Sequence, residues 1–307
     1  MTLLMPHIAA RMFNTPLLID AGKAAAILAG MGGRVVEGGI EFDGVMPVEH
    51  VAFAGGRTSE SMGTLGDRLG RAYERAGEGG NIFDRIGPVA IVPIEGTLIH
   101  KGAFLGISSG EMSYQGIQTK VQAIRRDHSV RAVAYEVDSF GGECAGAFDT
   151  AQMMAELSKE KPTLAILNDF AFSAAYLLAS TARQIVIPAM GGAGSIGVIT
   201  MHIDHSAKLE KSGSKVTIVA SGKHKADGHS FGPLPDDVRN KMQARVDGMR
   251  DHFAAAVGEF RGARLTRQAA LATEADAFTG EDAVKAGLAD AVARPSEAFA
   301  QFVAMVR

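Results

Sequence analysis

The sequence predicts an α/β fold built from βαβ units with right-handed crossovers. Two observations carry it. From Gly87 onward, short apolar runs alternate with stretches whose apolar residues recur at helical spacing. That is the rhythm of a parallel sheet covered by helices. The chain also holds 37 glycines, no tryptophan and 6% aromatic residues. Tight turns and close backbone approaches therefore take the place of large anchoring side chains.

The elements follow in order. Residues 88–94 read as a buried strand, and 113–126 as an amphipathic helix through Ile117, Val121 and Ile124. Residues 131–137 form the next strand, followed by Gly141-Gly142 and a helix over about 144–158. A strand over 163–167 leads into a helix over about 173–183. Then come a strand over 184–187, a short apolar stretch over 195–199, a helix over 205–212 and a strand over 215–220. Pro233-Leu-Pro-Asp-Asp opens a long helix, with Asp236 or Asp237 as its N-cap. Its apolar stripe is Met242, Val246, Met249, Phe253 and Val257, facing the sheet or a partner subunit. From Thr279 the chain reads as a capped helix ended by Gly287, then a short strand.

Ahead of this pattern lie two other zones. Residues 1–52 read as an accessory segment with a helix over about 20–30 and a hairpin around Gly38-Gly39. Residues 53–86, rich in Gly, Ser, Arg and Glu, read as a flexible connector in which 65–76 suit a polar helix. The division is therefore 1–52, 53–86, an α/β domain over 87–294, and a helical tail over 295–307.

Composition excludes several function classes. Thirty-one basic against 34 acidic residues leave a net charge of −3, with no general pull on nucleic acid or anionic membrane. One cysteine makes no intramolecular disulfide. The longest apolar candidate, 17–31, is cut by Asp20 and Lys23 and is too short to span a bilayer. A cytoplasmic protein is expected.

Four places could carry chemistry. Asp138-Ser-Phe-Gly-Gly-Glu follows a strand and opens a helix, so its amides suit an oxyanion or a phosphate, or simply make a tight turn. Ser173 follows a buried strand and begins an apolar helix, which fits a nucleophile or an N-cap. Ser221-Gly-Lys-His-Lys offers Lys223, His224 and Lys225 as bases, or as plain surface; a lysine base requires desolvation or neighbouring positive charge. His202 and His205 flank Asp204 but lack a third metal ligand. Cys144 stands near the Gly-Gly turn, either acidified by the helix field or as a small packed residue. No cofactor and no metal are expected.

In their order along the chain, Gly141-Gly142, Ser173, Gly194-Ser195-Ile-Gly-Val and Ser221-Gly-Lys-His-Lys225 resemble the signal peptide peptidase A family of serine proteases. The resemblance spans 88–292. It implies a ClpP/crotonase-like stack of βαβ units, with Phe278-Thr-Gly-Glu-Asp-Ala-Val-Lys-Ala-Gly-Leu-Ala-Asp as the closing segment. It further implies a Ser–Lys dyad. Ser173 is the nucleophile, Lys225 rather than Lys223 the base, and Ser195 the serine that hydrogen-bonds the lysine. The amides of Gly141 or Gly142 and of Ala174 form the oxyanion hole. Two positions depart from the family pattern: Phe140 stands where proline is usual, and Ala174 where glycine is frequent. Neither removes an N–H. His202 is a rival base, because the wider superfamily also uses Ser–His–Asp.

The run Pro6-His-Ile-Ala-Ala-Arg-Met-Phe-Asn-Thr-Pro-Leu-Leu-Ile, Ala145-Gly-Ala-Phe-Asp, and Ser221-Gly-Lys-His-Lys-Ala-Asp-Gly followed by Leu234-Pro-Asp-Asp-Val-Arg further resemble the phage capsid-assembly protease branch, of minor capsid protein C type. That branch implies protein substrates inside the prohead: scaffold, capsid or portal-associated proteins. The family also implies a homo-oligomeric ring in which serine and lysine come from neighbouring subunits. A degradative cytoplasmic peptidase, an acyl-thioester binder and a non-catalytic capsid or scaffold component are the other functions compatible with the residues.

Overall fold

The computed structural model describes residues 13–25, 82–101 and 110–306. The hairpin around Gly38-Gly39, the polar helix over 65–76 and most of the connector lie outside them. The chain runs β1 (Leu17–Ile19), β2 (Asp84–Ile86), β3 (Val89–Glu95), β4 (Thr97–Ile99), β5 (Glu111–Ser113), α1 (Tyr114–Arg126), β6 (Ala132–Ser139) and β7 (Gly141–Glu143). Next come α2 (Ala147–Glu160), β8 (Thr163–Phe172), α3 (Ala174–Ala179), β9 (Gln184–Ile187), β10 (Gly192–Gly194) and α4 (Ser206–Lys211). The last part holds α5 (Asp236–Arg261), a 3₁₀ turn (Gly262–Arg264), α6 (Arg267–Ala272), β11 (Ala277–Thr279), α7 (Gly280–Lys285), β12 (Ala291–Val292) and α8 (Pro295–Val306).

The main sheet has the order β11-β10-β8-β6-β3-β2, with β9 and β12 added beside the first half of β8. β3, β6, β8, β9 and β10 are parallel, as the βαβ rhythm requires. β2 and β11 close the edges antiparallel. One face carries the larger core, where Ile117, Val121 and Ile124 of α1 meet Tyr135 and Val137 of β6. The other face packs on α8 through Phe299, Phe302 and Val303. A central parallel strand buried on both faces has no polar alternation, and β6 is buried at seven of its eight residues. A second, small sheet runs β1-β7-β4-β5.

Three expected elements differ. Residues 212–220 form no strand and are exposed throughout; Val219 is 95% exposed. The run has the β-branched residues of a strand but no sheet edge to pair with in the described chain. The long helix starts at Asp236, with Pro235 in the N-cap position and no side-chain cap. Asp236 and Asp237 therefore sit in its first turn. Val246, Phe253 and Val257 of its stripe are buried, whereas Met242 and Met249 are only partly so. The helix after Ser173 is short, ending at Ala179.

Candidate active site

β8 ends at Phe172 and α3 begins at Ala174, so Ser173 alone turns the chain. Its backbone has φ 54° and ψ −120°, a region that L-residues avoid at roughly 1–3 kcal/mol. The N-cap reading fails, because Ser173 makes no capping bond. Its Oγ instead donates a long bond, 3.4 Å, to the Gly197 carbonyl. A buried serine on a strained strand-to-helix turn is the geometry of a nucleophile elbow.

Two segments close around it. β10 runs beside the last residues of β8, and the Ser173 N–H donates to Gly194 O at 2.9 Å. Ser195 follows with φ 54°, its N–H donating to Asp276 O. On the other side, the end of β6 leads through Phe140 to Gly141, at φ 97°. A Cβ at Gly141 would lie 2.2 Å from Leu18 O and 3.1 Å from the Ala174 nitrogen. The Gly141 backbone and the Ala174 amide thus face each other. Among the described residues, nothing accepts a hydrogen bond from the Ala174 N–H. The Gly141 N–H donates to Ser139 Oγ at 3.1 Å, so an oxyanion must displace that hydroxyl to use it. Gly142 supports the strand rather than the hole. It pairs with Leu18, and a Cβ there would meet Leu98 O at 1.8 Å.

Ser173, Ser195, Gly141 and Ala174 therefore converge. Lys225 is exposed on the turns of residues 221–228, with no hydrogen bond to Ser173 or Ser195 among the described residues. This loop is pinned elsewhere. Asp227 Oδ2 takes bonds from Lys241 Nζ at 2.9 Å and pairs with His224 Nδ1 at 3.0 Å. The Lys241 hydrogen bond, with the nearby charges, holds the Asp227 carboxyl below its ordinary value. Asn14 Nδ2 donates to Gly228 O at 2.8 Å.

His202 Nε2 lies 2.9 Å from His229 O, so this rival base is tied to the same loop and makes no bond to Ser173. Asp204 accepts from the Ser206 N–H at the start of α4. Among the described residues no cluster of His, Cys, Asp and Glu suits a metal ion. Burial, reinforced by the Glu143 charge, pushes the Cys144 thiol up to about 12. The acidified-cysteine alternative is thereby reversed.

The C-terminal ends of the central strands carry a buried acid, Glu136, and two half-buried ones, Glu95 and Asp138. Glu95 is opposite Asp138 in the β3–β6 register, and Glu136 Oε1 accepts from Asn168 Nδ2 at 3.0 Å. Burial, then the charges of Glu136 and Asp138, raises Glu95 from 4.5 to about 7, against an opposing pull from Lys120. The folded chain thus holds this proton between pH about 4.5 and 7, while the unfolded chain has lost it. Stability from this group falls as pH rises through that window. Glu95→Gln is expected to flatten the fall, measured as the urea midpoint at pH 5 and pH 7.

One participant escaped the sequence. Leu17–Ile19 pair antiparallel with Gly141–Glu143, directly beside the candidate oxyanion turn. Three apolar residues after Pro16 give no local sign of a partner so distant in sequence.

Comparison with known proteins places these residues in context. Residues 155–305 match the model of Peptidase family S49. The chain is 34% identical over 298 residues to the capsid assembly protease C of Escherichia phage lambda, covering 96% of this chain and 64% of that protein. It is 35% identical over 297 residues to the head-tail preconnector protein GP5 of Enterobacteria phage P21, covering 96% of this chain and 56% of that one. The chain thus spans less than two-thirds of either relative. Protease 4 of Haemophilus influenzae is 29% identical over 68% of this chain and 33% of its own length. Among solved structures, an enoyl-CoA hydratase/isomerase family member aligns with TM-score 0.40 at 13% identity, over 73% of this chain and 72% of that one.

Proposed function

Starting from the chain's membership of peptidase family S49, we propose that it is a serine endopeptidase with Ser173 as nucleophile, Lys225 as base and Ser195 orienting the lysine. The observation that carries this is the Ser173 turn: a buried, strained serine whose next amide, that of Ala174, lies beside Gly141. Ser173 gives its proton to a neutral lysine as Oγ attacks the peptide carbonyl. The Ala174 and Gly141 amides take the oxyanion, and the lysine then protonates the leaving amine. Water, activated by the same lysine, releases the acyl group. Each oxyanion donor of this kind contributes about 10²–10³ in rate.

A lysine acts as base at neutral pH only when desolvated or set among positive charge. Lys225 is exposed in the single chain. Dyad assembly therefore calls for a second copy whose 212–225 arm is covered by its neighbour, in a homo-oligomeric ring. The outward-facing Val216, Ile218 and Val219 support this, since the arm carries an apolar, β-branched surface toward solvent. The lambda and P21 relatives support protein substrates in capsid maturation, with cleavage inside the prohead or the host cytoplasm. Among the described residues no helix is long and apolar enough to cross a membrane.

Complementation between inactive variants tests the dyad and its assembly together. The wild type is expected to cleave an unfolded protein substrate, and Ser173→Ala and Lys225→Ala each to be inert. The two inert proteins, unfolded and refolded as a mixture, are expected to regain cleavage, because some interfaces then join an intact serine to an intact lysine. Activity is also expected to fall faster than linearly on dilution. Failure of the mixture to recover would place both residues in one chain. Full activity of either variant would overturn the dyad.

A further inference from the structure

The Gly-Gly strand beside Ser173 is already paired on the side where a peptide would be expected to add. In the small sheet β7 has β4 on one flank and β1 on the other. Leu17, Leu18 and Ile19 face Glu143, Gly142 and Gly141 in antiparallel register, and the Asp20 N–H donates to Phe140 O at 3.0 Å. The far side of β1 is held as well. Leu17 exchanges backbone bonds with Ile199, N–H to O at 2.8 Å and the reverse at 3.0 Å, and the Asn14 N–H donates to Met201 O. Residues 199–201 continue the segment that wraps Ser173 through Gly194 and Gly197. β1 therefore lies between the strand that leads out of the oxyanion turn and the extended residues 199–201, which follow Ser195 and Gly197.

The backbone of β1 also comes close to the turn at Gly141 and Ala174. Leu18 O and the Ala174 nitrogen both crowd the one point where a Cβ would stand on Gly141. A carbonyl of this chain thus sits within a few ångströms of the amide proposed to hold a substrate's oxyanion. The side chains of Leu17, Leu18 and Ile19 are all buried. Extended peptides commonly bind by adding a strand to a sheet edge, with backbone bonds giving affinity and alternate side chains giving selectivity. A substrate that adds to β7 needs the space β1 fills.

We propose that β1 is an internal occupant of the peptide track, a pseudosubstrate strap that must withdraw before a peptide from outside is cleaved. The inference rests on the endopeptidase reading. It also states what the vacated track accepts: an extended segment running antiparallel to Gly141–Glu143, with an aliphatic side chain in the pocket of Leu18. Asn14 links the strap to the loop of Lys225 through Gly228 O. Release of the strap and placement of the lysine loop are therefore mechanically joined.

A reversible cross-link tests this. Leu17→Cys and Glu143→Cys, directly opposite each other, are introduced into the full chain with Cys144→Ser, so that only one disulfide can form. Oxidation is expected to lower cleavage of an unfolded protein substrate at least tenfold, and dithiothreitol to restore it. A small fluorophosphonate is expected to label Ser173 in the reduced form. Equal cleavage by the oxidised and reduced forms would overturn the strap while leaving the endopeptidase intact. Failure of the two cysteines to join, read by mass spectrometry, would overturn it too, since the register is then absent. If the reduced form neither cleaves nor labels, the endopeptidase reading itself has failed and the strap falls with it.

Discussion

Ser173→Ala is expected to abolish peptide cleavage, by about 10⁴-fold or more, while leaving the melting temperature nearly unchanged. The two halves of this result have separate causes. On the proposed mechanism, cleavage depends wholly on Oγ of Ser173. Stability hardly depends on it, because Oγ makes one long bond to Gly197 O and no capping bond. The backbone strain at φ 54° persists in the alanine variant. Ser173→Gly is expected to be equally inert yet more stable than the wild type, since glycine enters that region without a Cβ penalty. A catalytic assay beside thermal melts of the three proteins checks this. A serine whose only role was structural would give the opposite ordering, with activity retained and stability reduced.

The contrast between Ser173 and its surroundings shows where the sequence was legible. Strands β3, β6 and β8 are written as continuous apolar runs, and the stripe Ile117, Val121, Ile124 enters the core as its spacing required. Local pattern was sufficient there because burial on both faces leaves no alternative. At Ser173 it was not. An N-cap and a nucleophile elbow use the same residue at the same place, and they differ in the sign of φ. That sign is set by tertiary partners: Gly194 O on the Ser173 amide, and a following helix that is buried at every residue.

Residues 215–220 fail for a related reason. β-propensity reports a side chain's fit to a pleated surface, not the presence of an edge to join. The reverse holds for Leu17–Ile19, where a strand exists because a partner does. The chemistry-bearing turn at Gly141 was legible from its glycines, but the engagement of its amide by Ser139 was not. Nor was the exposure of Lys225 in the single chain.

A large loss of stability is expected from a change away from Ser173, at Arg261. The residue is 2% exposed. It grips Asp290 with two bonds, Nη1 to Oδ2 at 3.0 Å and Nη2 to Oδ1 at 2.9 Å, and donates again to Gly287 O. Asp290 also accepts from the Ile185 N–H at 2.7 Å and from Arg264 Nη1 at 3.1 Å. One carboxylate thus joins the end of α5, the closing segment and β9. Tyr176 of α3 reaches the same segment through Leu288 O at 3.0 Å, so the helix that begins after Ser173 is anchored there. Burial pushes the Asp290 carboxyl up, but the hydrogen bonds and charge of Arg261, with Ile185 and Arg264, hold it below its ordinary 3.8. Its contribution is therefore present above that pH and lost as pH falls through the folded value.

Arg261→Met leaves the carboxylate without its buried partner, and a loss of about 3–5 kcal/mol is expected at pH 7. Most of that loss comes from the orphaned charge, not from the missing contact. Arg261→Met combined with Asp290→Asn is accordingly expected to be more stable than Arg261→Met alone, since the amide oxygen still accepts from Ile185. The defect of the single variant should also shrink as pH falls, because without Arg261 burial favours the protonated form of Asp290, while the double variant should show no such recovery. Urea denaturation of the three proteins at pH 7 and pH 5 distinguishes these terms. A single variant no less stable than the double at pH 7 would mean that packing of the guanidinium, not its charge, holds the closing segment against α3.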